Sequence, residues 1–100
     1  MKIFFRLIIF SILTPLVAFA QSKTITGTIN DELGLPLPGV TIQVKGSNNL
    51  GAVTNFDGIF KISIPSDAKQ IIVLSYVGYI SEEIDVSINT IISVNLQVDT

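Results

Sequence analysis

The sequence contains no cysteine, no histidine and no tryptophan. Without cysteine the chain cannot form a disulfide, carry a lipid on a cysteine or use a thiol as a nucleophile. Without histidine it lacks the side chain most often used for acid–base catalysis, and the two absences together remove the usual zinc ligands. We therefore expect no enzyme activity, no catalytic or metal-binding residues and no cofactor.

Basic residues are also scarce. Six Lys and Arg stand against eight Asp and Glu, which gives a net charge of −2. Two of the six, Lys2 and Arg6, lie within the first 20 residues, and the other four are lysines spread along the chain. Nucleic-acid binding needs a clustered positive surface that neutralises phosphates. The charge pattern therefore argues against a nucleic-acid partner.

The first 20 residues have the pattern of a secretory signal peptide. After the basic start an apolar stretch leads to Ala18 and Ala20, which form a small-x-small cleavage site before Gln21. An uncleaved membrane anchor is the alternative, but residues 7–20 are shorter than the roughly 20 apolar residues of a spanning helix. The sequence predicts a signal peptide over 1–20, an exported protein and one domain over 21–100.

Residues after Gln21 show no convincing helical period. Apolar and polar residues alternate with a period of two instead, which is typical of half-buried strands. Turn residues separate these segments about every 8–12 residues, so the sequence predicts an all-β, Ig-like sandwich. The seven predicted strands are 23–30, 40–45, 51–55, 60–64, 70–76, 80–86 and 92–98. The run 70–76 is apolar on both faces, which predicts a strand buried on two sides or covered on its outer face.

Glycine and proline mark the longest predicted turn. Gly34, Pro36, Pro38 and Gly39 all fall within residues 31–39, where the two prolines remove backbone donors and exclude a central strand. A phosphate-binding loop is the alternative, but no Gly-Lys-Ser or Gly-Lys-Thr follows. We expect a rigid surface turn between the first two strands.

Shorter turns follow the same chemistry. Asp57-Gly58 supplies a positive φ at low cost and predicts a hairpin between the third and fourth strands. The same residues resemble a fragment of a calcium loop, but the later acidic ligand of such a loop is missing. Gly46 lies in a polar turn, and Gly78 permits a bend before Tyr79.

The densest acidic group is Glu82, Glu83 and Asp85. It could be a calcium site or a carboxylate pair for glycoside hydrolysis. Three carboxylates from one short strand rarely supply the six to eight oxygens that Ca²⁺ prefers. We favour a solvated outer face that also protects a sheet edge.

Four aromatic residues have different expected roles. Tyr76 and Tyr79 could stack on a sugar, but we favour rings that cap the core with their hydroxyls at its rim. Phe60 is expected in the core. Phe56, at the tip of the Asp57-Gly58 turn, is the best candidate for an exposed contact residue.

Several short motifs occur in a fixed order after the leader. They are Gly27-Thr28, Gly34-x-Pro36-Leu37-Pro38-Gly39-Val40, Val44-Lys45-Gly46, Thr54-x-x-Asp57-Gly58-x-Phe60-x-Ile62 and Ser75-Tyr76-Val77-Gly78-Tyr79. This ordered set resembles the carboxypeptidase D regulatory-like domain, as found at the N-terminus of SusC-type TonB-dependent outer-membrane receptors of Bacteroidetes. The resemblance covers almost all of residues 23–97. Ala52 departs from it where Thr is common, and Asn55 where Asp is common.

The resemblance implies a transthyretin-like sandwich of seven strands without a catalytic site of its own. In such receptors the domain is an N-terminal periplasmic extension associated with energised uptake of glycans, peptides or other large nutrients. We therefore expect a periplasmic accessory domain at the outer membrane of a Gram-negative bacterium. The expected partners are proteins of the cell envelope: a receptor body, an energising protein or a surface lipoprotein.

The sequence reaches Thr100 about where such a receptor would continue into its plug and barrel. Either these are the first 100 residues of a longer protein, or the domain is free-standing. The first interpretation makes it part of a nutrient receptor, with membrane contact only through the leader or a following barrel. The alternative is a secreted or periplasmic binding or adhesion module that recruits a partner strand at a sheet edge.

Overall fold

A computed structural model describes residues 21–100 of the protein. The predicted signal peptide and the cleavage-site residues Ala18 and Ala20 lie outside the described residues. Gln21 is the first described residue and is exposed. Residues 21–100 contain no helix with the length and apolar character needed to cross a membrane.

The described residues form seven strands and no helix, which confirms the predicted all-β class. Five strands are shorter than the predicted segments, whereas β1 and β4 extend beyond theirs by one and two residues. Their bounds are β1 (Ser22–Asn30), β2 (Thr41–Val44), β3 (Gly51–Val53), β4 (Ile59–Pro65), β5 (Ile71–Ser75), β6 (Glu82–Asp85) and β7 (Ile91–Asn95).

The strands form two sheets that pack face to face as a sandwich. One sheet has the order β4-β1-β7 and the other has the order β3-β2-β5-β6. β1 pairs antiparallel with β4 and parallel with β7, whereas all pairs in the second sheet are antiparallel. Consecutive strands pair only at β2–β3 and β5–β6 within residues 21–100, so every other connection carries the chain from one sheet to the other.

The predicted hairpin at Asp57-Gly58 is therefore wrong, although the turn itself is present. The Gly58 N–H donates to the Asn55 carbonyl at 2.9 Å, and Gly58 has a φ of 73°. β3 nevertheless pairs with β2, while β4 pairs with β1 in the opposite sheet. The Asp57-Gly58 pair determines only that the chain reverses direction at this point. The pairing depends on distant contacts such as the Ile29 N–H, which donates to the Gly58 carbonyl at 2.7 Å.

Inward-facing residues of both sheets build one core. Each long strand buries alternate side chains, because successive side chains of a strand point to opposite faces. The buried apolar residues are Ile25, Ile29, Leu37, Val40, Ile42, Val44, Phe60, Ile62, Ile64, Ile72, Leu74, Val86, Ile92 and Leu96.

β5 differs from its prediction on one face. Ile72 and Leu74 are fully buried between the sheets, but Ile71 and Val73 on the other face are only half-buried. The strand is interior in its sheet because β2 and β6 flank it. Its apolar outer face is therefore partly exposed among the residues that the structure describes.

Gly27 and Phe60 make a close cross-strand contact inside the sandwich. The two residues are directly opposite each other in the β1–β4 register. A Cβ at Gly27 would lie 2.4 Å from the Phe60 ring and 2.9 Å from the Ile92 carbonyl oxygen. The aromatic ring therefore occupies the space that a side chain on Gly27 would need, an arrangement that suits glycine in a strand.

We expect Gly27→Ala to lower the free energy of unfolding by about 1–3 kcal/mol, because the new methyl group overpacks the Phe60 ring. Urea unfolding of residues 21–100 measures this. The matched test is the same substitution in a Phe60→Leu background, where the smaller side chain relieves the clash and Gly27→Ala should cost less. Equal costs in both backgrounds would contradict the assigned contact.

Candidate functional site

Most of the motif residues meet at one end of the sandwich. We call this the apical end and define it as the loops 31–40, 54–58 and 76–81 with residues 96–100. β1, β3, β5 and β7 all finish there, and β2, β4 and β6 begin there. The motif residues at this end are Gly34, Pro36, Pro38, Gly39, Asp57, Gly58, Tyr76, Gly78 and Tyr79.

Other motif residues lie elsewhere. Gly27 and Phe60 belong to the sandwich interior, as described above. Gly46 lies at the opposite end, in the β2–β3 turn, with a φ of 84°. There the Ser47 N–H donates to the Val44 carbonyl at 3.0 Å and closes the turn that contains Gly46.

The first apical loop is organised by Asp31. Its Oδ1 accepts hydrogen bonds from the N–H groups of Leu33 and Leu35, both at 2.9 Å. This pattern is typical of aspartate that initiates a turn. Gly34 has a φ of 83°, which the turn requires. Pro36 forms a single bridge with Asn30 and belongs to no strand.

Thr54 fastens this loop to the end of β3. Its Oγ1 accepts from the Val40 N–H at 2.9 Å and donates to the Leu37 carbonyl at 2.6 Å. Its backbone carbonyl accepts from the Gly39 N–H at 3.1 Å. Thr54 is 5% exposed, so each of these groups is satisfied within the protein.

Thr54 was not predicted to be a functional residue, although it belongs to one of the quoted motifs. A detectable signal was present: Thr54 follows Ala52 at a spacing of two and so falls on the inward face of the strand. A polar residue at an inward position needs internal hydrogen-bond partners. The sequence did not predict which groups these partners are; the structure shows that they are the Val40 N–H and the Leu37 carbonyl.

Asn55 organises the second apical loop in the same manner as Asp31. Its Oδ1 accepts from the N–H groups of Asp57 and Ile59, at 2.9 and 3.0 Å. An amide oxygen accepts hydrogen bonds as a carboxylate oxygen does, so asparagine can serve here where the related pattern has aspartate. The side chain of Phe56, at the tip of this loop, is 92% exposed.

Tyr76 and Tyr79 form an aromatic pair in the third apical loop. Their ring centroids are 5.7 Å apart with planes inclined at 48°, and both rings pack against the core while remaining partly exposed. Partial burial raises the pKa of the Tyr79 hydroxyl, and the nearby carboxylates of Glu32 and Asp31 raise this pKa further. Sugar stacking by this pair stays a hypothesis.

Two shallow grooves meet at Gly39. One, of about 390 Å³, is lined by Pro38, Gly39, Thr54, Asn55 and Phe56. The other, of about 370 Å³, is lined by Gly39, Thr41, Ser75, Tyr76 and Val77. The side chain of Val77 is 94% exposed. The exposed tips of two loops thus lie on either side of the proline-containing loop.

Two of the three acidic side chains of β6, Glu83 and Asp85, have polar partners. Glu83 forms an ion pair with Lys45 at 2.8 Å, and Asp85 accepts from the Ser87 N–H at 2.8 Å and from its hydroxyl. These hydrogen bonds from Ser87 lower the pKa of Asp85. In the part of the chain that the structure describes, no three His, Cys, Asp or Glu side chains converge as metal ligands would.

The family model described as the CarboxypepD_reg-like domain matches residues 25–100. The chain belongs to this family. The ordered motifs described above, from Gly27 to Tyr79, all fall within the matched residues.

Curated relatives of this CarboxypepD_reg-like domain are TonB-dependent receptors. The chain is 42% identical over 94 residues to TonB-dependent receptor P3 of Formosa agariphila, a match that covers 93% of this chain and 9% of the receptor. It is 40% identical over 83 residues to TonB-dependent receptor SusC of Bacteroides thetaiotaomicron, covering 81% of this chain and 8% of the receptor. The chain thus spans less than a tenth of the length of these relatives.

A solved structure shares the fold. One chain of a type II Cohesin-X-Dockerin complex from Acetivibrio cellulolyticus superposes with a TM-score of 0.58 and 23% sequence identity. The superposition covers 72% of this chain and 52% of that chain. At this identity the likeness concerns the architecture alone, because one fold supports many functions.

We expect Thr54→Val to lower the free energy of unfolding by about 1–3 kcal/mol, because it leaves the Val40 N–H and the Leu37 carbonyl buried without the hydroxyl. Thr54→Ser is the matched control. It keeps the hydroxyl and loses one methyl group, which costs about 1 kcal/mol or less. Urea unfolding and amide exchange at Val40 measure both effects. An equal loss in the two variants would show that the hydroxyl does not hold the loop.

The pH dependence of stability should reflect Asp85. Its folded pKa lies below the ordinary value of 3.8, so the ionised carboxyl stabilises the folded protein above that value. This contribution is lost as the pH falls through the lowered pKa. Ser87→Ala should raise the pKa of Asp85, measured by carboxyl-carbon NMR, and flatten the acid dependence of the unfolding free energy. Ser93→Ala, at an exposed position of β7, is the control, and an unchanged Asp85 pKa in Ser87→Ala would refute the assignment.

Proposed function

We propose that this chain is the non-catalytic N-terminal accessory domain of a TonB-dependent outer-membrane receptor for a nutrient such as a glycan or a peptide. The observation that carries the proposal is the match to receptors. Nearly the whole chain aligns with them, yet it accounts for only 8–9% of their length. A short domain that recurs in much longer receptors is a module that serves the larger protein.

The proposal includes the organisation of the precursor. Residues 1–20 are a signal peptide cleaved between Ala20 and Gln21, and residues 21–100 are the domain. The supporting pattern is the basic start, the apolar stretch and the small residues at the cleavage site. The domain then lies in the periplasm of a Gram-negative bacterium, where its partners are the receptor body, the energising protein or a surface lipoprotein.

The non-catalytic role rests on the side chains that the domain offers. The chain has neither histidine nor cysteine to act as a general base or thiol nucleophile. Glu83 is paired with Lys45, and Asp85 is hydrogen-bonded within its own turn. The apical grooves instead combine backbone, proline and exposed apolar tips, which are groups that make contacts rather than transfer protons.

The size and location of the natural gene product test this function. An antibody raised against residues 21–100 should detect, in outer-membrane fractions, a protein about ten times the 10.8 kDa of this chain. N-terminal sequencing should begin at Gln21. A soluble periplasmic species smaller than 10.8 kDa would contradict the receptor context and favour a free-standing binding or adhesion module. Hydrolysis of a glycan panel by purified residues 21–100 would contradict the non-catalytic role.

A further inference from the structure

Large exposed apolar side chains are concentrated at the apical end. Leu33, Leu35, Phe56, Val77, Ile80 and Val98 all lie in its loops, with exposures from 42% to 94%. Among the described residues, the opposite end contributes Ile88 and Ile91, and Val53 and Ile59 are exposed on strands. Exposed apolar groups that gather in one region mark interaction sites, whereas scattered ones need no explanation.

Five residues form the continuous part of this region. We call Pro38, Gly39, Phe56, Tyr76 and Val77 the apical surface. The two shallow grooves that these residues line share Gly39, and Phe56 lines one groove while Val77 lines the other. The hydroxyl of Thr54 holds the intervening loop in place. A surface held in one conformation loses little entropy on binding, which favours its use as a contact.

Charge is also distributed unevenly. The apical loops carry the carboxylates Asp31, Glu32, Asp57 and Asp99 and contain no lysine or arginine. Lys23 donates to the Val86 carbonyl at the opposite end, and Lys45 pairs with Glu83. The apical surface is therefore a pair of apolar grooves whose surrounding loops carry an acidic rim, which is complementary to an apolar surface with a basic rim.

The last residues of the domain run along this same end. The Asp99 N–H donates to the Gly78 carbonyl at 2.9 Å, and the Ile80 N–H donates to the Gln97 carbonyl at 2.8 Å. Tyr79 and Val98 also form a bridge. Polypeptide that follows residue 100 in a receptor therefore emerges directly beside Val77 and the loop around it.

We propose that the apical surface docks onto the receptor body, the part of the same polypeptide that follows residue 100, through an apolar patch with a basic rim. This inference rests on the proposed receptor function. It follows from three independent features: the exposed apolar tips, the acidic rim and the exit of the chain at the same end. Because both surfaces belong to one polypeptide, docking is intramolecular, and the effective concentration of the partner surface lowers the contact area that docking needs.

Site-specific photo-cross-linking in the natural full-length protein tests the proposal. p-Benzoylphenylalanine in place of Phe56 or Val77 should, on irradiation of intact cells, join the domain to peptides beyond residue 100 without adding the mass of another chain. The same group in place of Ile88, which is 89% exposed at the opposite end, is the control and should give no such product. Mass spectrometry of the digested protein identifies the joined peptides.

A charge reversal tests the acidic rim separately. Asp57→Lys should lower the yield of the intramolecular cross-link from position 77, because it places a positive charge at the rim. Asp67→Lys, at an exposed turn of the opposite end, should leave the yield unchanged. An equal loss in both variants would show that the effect is not local to the rim and would overturn the charge argument.

The outcomes separate this proposal from the receptor function on which it rests. A full-length receptor with equal intramolecular products from positions 56 and 88, or none from either, would overturn the docking surface and leave the receptor function standing. Products that join position 56 to a different protein, or to a second copy, would overturn the proposal that the apical surface docks onto the receptor body of the same polypeptide. A natural gene product that ends at residue 100 would overturn both proposals.

Discussion

The hydroxyl group of Thr54 holds together the part of the molecule on which its surface chemistry depends. It accepts from Val40 and donates to Leu37, and so ties the proline-containing loop of one connection to the end of β3. Pro36 and Pro38 have no N–H groups, so this loop cannot be secured by a regular ladder of backbone hydrogen bonds. The buried Thr54 side chain adds to the few backbone hydrogen bonds that hold the loop, and the loop contributes Pro38 and Gly39 to the two grooves.

Apart from the apical loops, the domain is a small sandwich with one core. A domain of this size buries a modest share of its surface, so individual contacts matter for its stability. The close approach of the Phe60 ring to Gly27 fills the space between strands and positions β4 beside β1. The chain passes from one sheet to the other at the Asp57-Gly58 turn. β4 therefore begins at the apical end and runs through the core. The strands thus present the apical loops, while the apolar tips and the carboxylates between them provide the contacts.

Several features of the fold could be predicted from local patterns in the chain. Alternation of apolar and polar residues located most of the strands, because one face of each is buried, and the apolar run 70–76 located β5. Glycine and proline located the turns through their restricted or permissive dihedral angles. The exposure of Phe56 and the burial of Phe60 also followed from their places at a turn tip and in an alternating strand. Pairing could not be predicted in the same way. A hairpin was expected at Asp57-Gly58 because a local turn signal carries no information about which sheet receives the next strand.

Residue types and their short-range spacing were enough to indicate the all-β class, most positions of strands and turns and the scarcity of reactive side chains, and the ordered motifs resembled the family whose model matches the chain. Folding was needed to bring Thr54 to Leu37 and Val40, to place Phe56 and Val77 on either side of one loop, and to set Asp31 and Glu32 near Tyr79. These groups are far apart along the chain. They meet only because long-range strand pairing brings several strand ends to one end of the sandwich, and pairing of that kind is set by burial of the whole core rather than by any local pattern.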